Sequence, residues 1–456
     1  MDNNLRDRIS EAMKGHEAQY IEVRVDSSES AYIRYRGREL EEVGRSSSGG
    51  GCVRALAGGG WGFVSFNSLD GLKDKVKAAV RNARLVGGEP IKLAPVEPKV
   101  DSVKRAVKKD PTSIPLETKK RLMDEYVSEI WSVPGISTST VGYGDGKLRR
   151  VFANSEGSYI EQEKTDITLR LNAVVRKDGD VQQSGQSIGS PGEYSEIEGL
   201  HKEARGVAQR AVELMAAPQV KGGEYTVIIE PILAGVFIHE AFGHLSEADH
   251  VYEDPKMREI MVLGRKFGGK HLNVVDGAGV PGLRGSYAYD DEGVPSTKSY
   301  LLREGVLVGR LHSRETAAKL GEGVTGNARA IGSSFPPIVR MTNTYIEGGE
   351  ATAEELISEV KDGLYVSNWY GGMTSMEQFT FSAGEAFKIR NGKVEELVRP
   401  VMLTGNLFTT LESLDAVAND LSMNQGGGCG KGGQSPLAVS NGSPHIRIQR
   451  CLIGGR

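Results

Sequence analysis

A helix that is apolar on every side and then ends in His-Glu constrains this chain more than any other feature of its sequence. Pro231 suits the first turn of a helix and opens the run Ile232-Leu233-Ala234-Gly235-Val236-Phe237-Ile238. The run leaves no polar face for water, so it belongs inside a core. His239 and Glu240 follow directly, and His244 comes five residues after His239. Placing such groups at the end of a buried helix costs on the order of several kcal/mol unless each is paired or metal-bound. Three of the chain's eight histidines fall between His239 and His250. A metal site accounts for both the burial and the clustering, and a hydrogen-bonded core cluster is the alternative.

The spacing sets a geometric problem. A four-residue gap on an ideal helix leaves two side chains about 40° apart, whereas a five-residue gap leaves about 140°. Imidazoles splayed that widely do not converge on one ion. A π-bulge absorbs one residue and restores convergence, with Gly243 as the position expected to tolerate the distortion. Glu240 is placed to act as general base. A catalytic zinc needs a third protein ligand and an open position. Glu247, Asp249 and His250 are the nearby candidates for that ligand, and Cys429 and Cys451 are the distant ones. Cys429 lies in Gly426-Gly427-Gly428-Cys429-Gly430-Lys431-Gly432-Gly433-Gln434, where glycines let the backbone approach closely and Lys431 would favour the thiolate. That segment fails as a phosphate loop, because Gln425 stands where a first glycine is needed and Gly432 follows the lysine. Cys52 and Cys451 sit in strand-like runs and read more simply as small core residues.

Around this feature the chain reads as α+β. Its 59 glycines are nearly twice the usual share of about 7%, and they cluster between short β-like segments. Strands are expected near Ile21, Val23 and Val25, near Tyr32 and Tyr35, and on either side of Gly49-Gly50-Gly51. Further strands are expected over 138–143, 148–154, 158–175, 181–187 and 225–230. Helices are expected over 1–20, 69–86, 116–131 and 195–216. Asn391-Gly392 between two strand-like runs signals a type I′ hairpin. Such signals favour antiparallel-rich sheets with flanking helices over a parallel sheet. The expected division is an N-terminal α+β domain, 1–218, with a proline-rich linker or crossing at 87–115. A β-rich C-terminal domain, 219–456, carries the metal-binding helix. Asp290-Asp291-Glu292-Gly293 reads as a polar hairpin loop. His312 reads as a core or loop histidine or as an active-site donor, and His250 and Glu247 as groups supporting the ligands.

These residues resemble the TldD branch of the TldD/PmbA zinc metalloprotease family. The likeness rests on His239-Glu240-Ala241-Phe242-Gly243-His244, Tyr289-Asp290-Asp291-Glu292-Gly293, and Leu311-His312-Ser313-Arg314-Glu315-Thr316-Ala317. It continues through Thr325-Gly326-Asn327, Met341-Thr342-Asn343-Thr344-Tyr345, Phe379-Thr380-Phe381 and Cys429-Gly430-Lys431. The resemblance implies a Zn2+ peptidase with ligands His239, His244 and Cys429. Sister PmbA/TldE subunits lack the helix motif, so its presence implies the catalytic branch. It also implies a homodimer, or a heterodimer with a TldE/PmbA-like subunit, working on unfolded peptides.

Composition adds exclusions. A net charge of −4 gives no general pull toward nucleic acid or an anionic membrane, and no apolar run of about 18 residues suggests a span. The polar first twenty residues do not read as a signal peptide. Three cysteines suit a reducing compartment, so cytoplasmic location is expected. The functional expectation is a zinc-dependent peptidase taking extended chains at a strand edge. The alternatives are a non-catalytic, zinc-stabilised interaction or modulator protein and a metal hydrolase acting on a non-peptide bond.

Overall fold

The computed structural model describes residues 3–105, 107–375 and 377–454. Met1 and Asp2 of the expected N-terminal helix lie outside them, and that helix runs Asn3–Met13. Four unusually long strands dominate the first half: Tyr20–Arg36, Glu39–Ala57, Thr138–Asn154 and Tyr159–Lys177. With Gly60–Phe66, Val100–Val103 and Asp180–Ser190 they form a seven-stranded sheet, antiparallel except where Val100–Val103 runs parallel to Tyr159–Lys177. The proline-rich stretch therefore contributes a strand as it crosses.

Two strands expected to break at glycine do not. Gly49-Gly50-Gly51 lie inside Glu39–Ala57 without left-handed φ, and a Cβ at Gly51 would come within 2.5 Å of the Arg24 carbonyl oxygen and the Phe66 ring. Here glycine serves close packing between strands, not a turn. Side chains alternate across the sheet. Ile21 and Val23 pack under helices Asn3–Met13 and Leu72–Val86, whereas Ile33 and Tyr35 on the same face pack under Leu116–Trp131 and His201–Ala216.

The second half is β-rich. One sheet runs Asp362–Ser375, Gly223–Ile229, Ile446–Gly454, Met402–Asn406, Gln378–Arg390, Lys393–Val398, and pairing between Asp362–Ser375 and Gln378–Arg390 closes five of these strands on themselves. Asn391 and Gly392, both at positive φ, turn the last hairpin as the sequence predicts. A six-stranded sheet includes Val274–Gly277, Asn343–Ile346 and Ser440–Ser443. The apolar helix Pro231–Ile238 packs between the two sheets within the largest buried core. Among the described residues no helix is long and apolar enough to cross a membrane.

The acidic turn 290–293 is a hairpin turn as expected, but it is buried, not solvent-facing. Asp290 ties the turn by accepting from the backbone N–H groups of Glu292, Val294 and Ala328, each at 2.9 Å. Asp291 meets Arg150, which also holds Asp26 through two contacts of 2.7 Å. Glu292 meets Arg54 at 2.5 Å, and Arg54 also contacts Glu22 at 2.9 Å. Arginines of the first sheet thus neutralise carboxylates carried by the second half. Arg54→Met would leave Glu22 and Glu292 buried without their counter-charge, and should destabilise the protein by about 3–5 kcal/mol. Thermal unfolding of this variant beside Arg54→Met/Glu292→Gln, which should recover part of the loss, checks the assignment.

Candidate metal centre

The helix that presents the cluster is fixed at both ends of its apolar run. Glu230 caps its start, accepting from the N–H groups of Ile232 at 3.0 Å and Leu233 at 3.1 Å. Gly235 lies so near Gly442 that a Cβ would stand 2.8 Å from its Cα. Phe237 packs edge-on against Phe379 and Phe381, with ring centroids 5.6 and 5.8 Å away. Past Ile238 the backbone widens into a π-helical turn over His239–Gly243, and the His244 N–H donates to the His239 carbonyl five residues back. This is the distortion the five-residue spacing demands. The two imidazoles come together with ring centroids 5.2 Å apart.

Gly243 plays a different part from the one expected. Its φ of −58° and ψ of −51° are ordinary helical values, so it needs no conformational freedom. What it provides is room, since a Cβ there would overlap the sulfur of Met341.

Cys429 enters on the strand Gly428–Lys431, paired with Gln434–Ala438. Its Sγ lies 3.5 Å from His244 Nε2. One ligand atom from each of His239, His244 and Cys429 falls within 4.8 Å of the others. Arg340, fully buried, holds the strand by donating to the Cys429 carbonyl at 2.8 Å and the Gln434 carbonyl at 3.1 Å. Lys431 does not stabilise the thiolate directly, contrary to the sequence expectation. Its ammonium instead donates to Asp249 at 2.7 and 2.8 Å, lies 3.0 Å from Glu247, and donates to the Val339 carbonyl at 2.9 Å. The cation thereby fastens the cysteine strand to the segment that follows His244.

Glu247 is fully buried behind the cluster, 3.0 Å from His244 Nδ1 and 3.7 Å from His250 Nε2. It orients His244 from the ring edge opposite the cysteine, a common way of fixing an imidazole tautomer. Glu240 is half-buried beside the cluster, with Oε2 3.9 Å from His244 Nε2. His312 is spent elsewhere: its ring nitrogens contact Thr316 at 3.2 Å and Glu322 at 3.0 Å. Asp249 is taken by Lys431, and Cys52 and Cys451 are buried free thiols outside the cluster. Sequence reasoning missed the roles of Arg340 and Met341. Met341 falls in one of the resembling stretches, whereas nothing marks Arg340 beyond its neighbours.

Electrostatics separate the two candidate thiols. Burial pushes Cys429 up, but His239 and then His244 outweigh it and bring the thiol down to about 4. Burial alone pushes Cys451 up to about 12. Burial would also lower His244, yet Glu247 and the Cys429 sulfur hold it well above the usual histidine value. Glu247 itself is raised by burial and brought back to about 2 by Lys431 and His244. Both shifts favour a thiolate facing an imidazolium when no ion is bound, and a metal binding to that pair displaces a proton.

The donors suit a metal. Two imidazoles and a thiolate form a mixed nitrogen–sulfur set, and a tetrahedral ion with bonds of about 2.0–2.3 Å spaces its ligands roughly 3.3–3.8 Å apart. The 3.5 Å sulfur–nitrogen distance falls in that range. His239 also keeps a buried Nδ1 with no hydrogen-bond partner among the described residues, so protein contacts alone do not satisfy this imidazole.

Three family models match the chain. They are the PmbA/TldA metallopeptidase domain 1 over residues 21–83, the central domain over 109–217, and the C-terminal domain over 222–455. A metalloprotease of Synechocystis is 45% identical over 96% of this chain and 95% of its own length. A protein of Saccharolobus solfataricus, named a zinc metalloprotease TldD homolog, is 28% identical over 88% of this chain and 89% of its own. The crystal structure of TldE from Thermococcus kodakarensis shares the fold, with a TM-score of 0.75 at 18% identity and 99% coverage of both chains.

The contact at Gly243 gives a prediction of decided sign. Glycine to alanine inside an exposed helix stabilises by about 1 kcal/mol, but here the added methyl collides with Met341. Gly243→Ala should lower the unfolding temperature and weaken metal retention, and adding Met341→Ala should restore part of both. Thermal scans with metal analysis of the single and double variants provide the check.

Proposed function

The chain belongs to the PmbA/TldA metallopeptidase family and is a metallopeptidase, and we propose that it is a zinc-dependent peptidase of unfolded or extended peptides. His239, His244 and Cys429 are its proposed ligands, and Glu240 is its proposed general base. The observation that carries this reading is the convergence of three donors, one of them 185 residues from its neighbour, within 4.8 Å. Zinc suits two nitrogens and one sulfur better than a hard, oxygen-seeking cation does.

The ion when bound would supply Lewis acidity, polarising the scissile carbonyl and making a water acidic enough to attack near neutral pH. The protein does the rest. Glu247 holds His244 so that Nε2, not Nδ1, faces the cluster. Glu240, partly exposed beside the cluster, accepts the proton of the attacking water and delivers it to the leaving amine. The apolar helix and Phe242 exclude bulk water from the far side.

Assembly as a homodimer or with a TldE/PmbA-like subunit, a cytoplasmic location, and a division near residues 218–219 complete the reading. The three buried free cysteines are consistent with a reducing compartment, and the TldE of Thermococcus kodakarensis has the same fold.

Two experiments test the roles. Glu240→Gln should keep a full complement of zinc and lose peptidase activity by about 10²–10⁴-fold, as judged by metal analysis and cleavage of a mixed peptide library. Unimpaired turnover would remove Glu240 from the role of base. Cys429→Ala should lose most of its metal while Cys451→Ala keeps it, and the reverse result would move the third ligand to Cys451.

A further inference from the structure

A groove of about 900 Å³ runs along the long sheet of the first half, and none of His239, Glu240, His244 or Cys429 lines it. Its floor is a furrow. Gly142, Gly144 and Gly146 occupy alternate positions of Thr138–Asn154 and so share one face of the sheet. Three consecutive places on that face carry no side chain. Arg34, Tyr32 and Ser30 pair with them on one side, and Arg170, Thr168 and Asp166 on the other. Tyr32 is 44% exposed beside the furrow. The wall is Gly426–Gly428, the segment immediately before Cys429. Arg284 pins this wall to the floor, pairing with Asp166 while donating to the Gln425 and Gly427 carbonyls.

The charge in the groove is not balanced. Five of its six carboxylates already have partners: Asp166 has Arg284, Asp291 has Arg150, and Asp145 has Lys119. Glu41 and Glu42 meet Arg36 and Arg34, and Glu29 alone has no ion pair among the described residues, standing opposite Lys147 in the strand register. Lys164, Arg105, Arg170 and Arg329 line the same groove with no ion-pair partner among the described residues, and Arg329 is taken up by the Met341 and Ala438 carbonyls. The other three basic side chains, held by neither a carboxylate nor a carbonyl among those residues, stand out on a chain whose net charge is −4. Lys164 and Arg170 lie six residues apart on one strand, roughly 20 Å, the span of about six residues of an extended peptide. Arg105 follows Val103, whose parallel partner is Gln162, so it leaves the sheet near the level of Lys164. The Lys164 ammonium stands 4.4 Å over the Tyr287 ring, and burial lowers it to about 7, a state that an incoming carboxylate would reverse.

We propose that this groove holds an extended acidic segment of the substrate polypeptide, main chain over the glycine furrow and carboxylates toward Lys164, Arg105 and Arg170. The proposal rests on the peptidase reading and names the class of chain that reading leaves open. Cationic side chains supply the selectivity for acid. The side-chain-free furrow admits a backbone of any sequence, and the wall before Cys429 leads toward the metal cluster.

The test uses the full-length protein stripped of metal by a chelator, so that binding is read without cleavage. Two fluorescein-labelled dodecapeptides are compared by anisotropy, one with glutamates six residues apart and the other with glutamines there. The wild type should bind the glutamate peptide about tenfold more tightly at low salt, the combined effect of several partly exposed charge contacts, and the difference should shrink as salt rises. Lys164→Gln/Arg170→Gln should abolish the preference, and Arg105→Gln should reduce it if the double variant does not fold. Equal binding of the two peptides, or binding of neither because a second subunit covers the groove, would overturn the proposal. So would an undiminished preference in the variants. Metal-dependent cleavage without any charge preference would sink this proposal alone. A charge preference without metal-dependent cleavage would sink the peptidase reading and leave acidic-chain binding standing.

Discussion

The widening of one helix by a single residue is what the rest of the site depends on. With regular α-helical backbone, His239 and His244 would diverge by about 140°. The π-helical turn rotates them into contact, and several consequences follow from where His244 then points. Its Nε2 meets Cys429, and its Nδ1 meets Glu247. Glu247 in turn meets Lys431, which lies two residues beyond Cys429 on the same strand. Helix and strand are joined twice, once through the candidate ligands and once through the charges behind them. Movement of the cysteine strand therefore strains a buried ion pair as well as the cluster.

Burying so many charges is expensive, and the fold compensates by placing each against an opposite charge or a backbone group. Glu247 has His244 and Lys431, and Arg340 has two carbonyls. The acidic turn at 290–292 has Arg150 and Arg54 from the first sheet. Buried pairs of this kind contribute little net stability, yet losing one partner is severe. Their consequence is positional, since they hold the β-rich half against the long sheet, and with it the helix, the cysteine strand and the groove wall.

Much of this was legible in the sequence. The antiparallel α+β class, the helix at Leu116–Trp131, the Asn391-Gly392 hairpin and the π-helical distortion all followed from local periodicity, turn chemistry or helix geometry. Where the reading failed, the missing information was long-range. Glycines at 49–51 read as a break because a local window does not show Phe66 crossing above them. Gly243 read as a point of backbone freedom, although Met341, distant in sequence, is what excludes a side chain there. Lys431 reads locally as a partner of the Cys429 thiol, but it turns to Asp249 and Glu247 from another segment. The acidic turn looked solvated because its arginines lie more than a hundred residues away. Local rules reach a residue's own element and seldom the partner that element meets.

The central claim is that one ion is shared by two imidazoles and the Cys429 thiolate. X-ray absorption at the metal edge of the purified, metal-loaded protein tests it most directly. The account predicts one sulfur scatterer at about 2.3 Å and two or three nitrogen or oxygen scatterers at about 2.0 Å, with the sulfur lost in Cys429→Ser. A first coordination sphere with no sulfur, or a sulfur that survives that substitution, would contradict it.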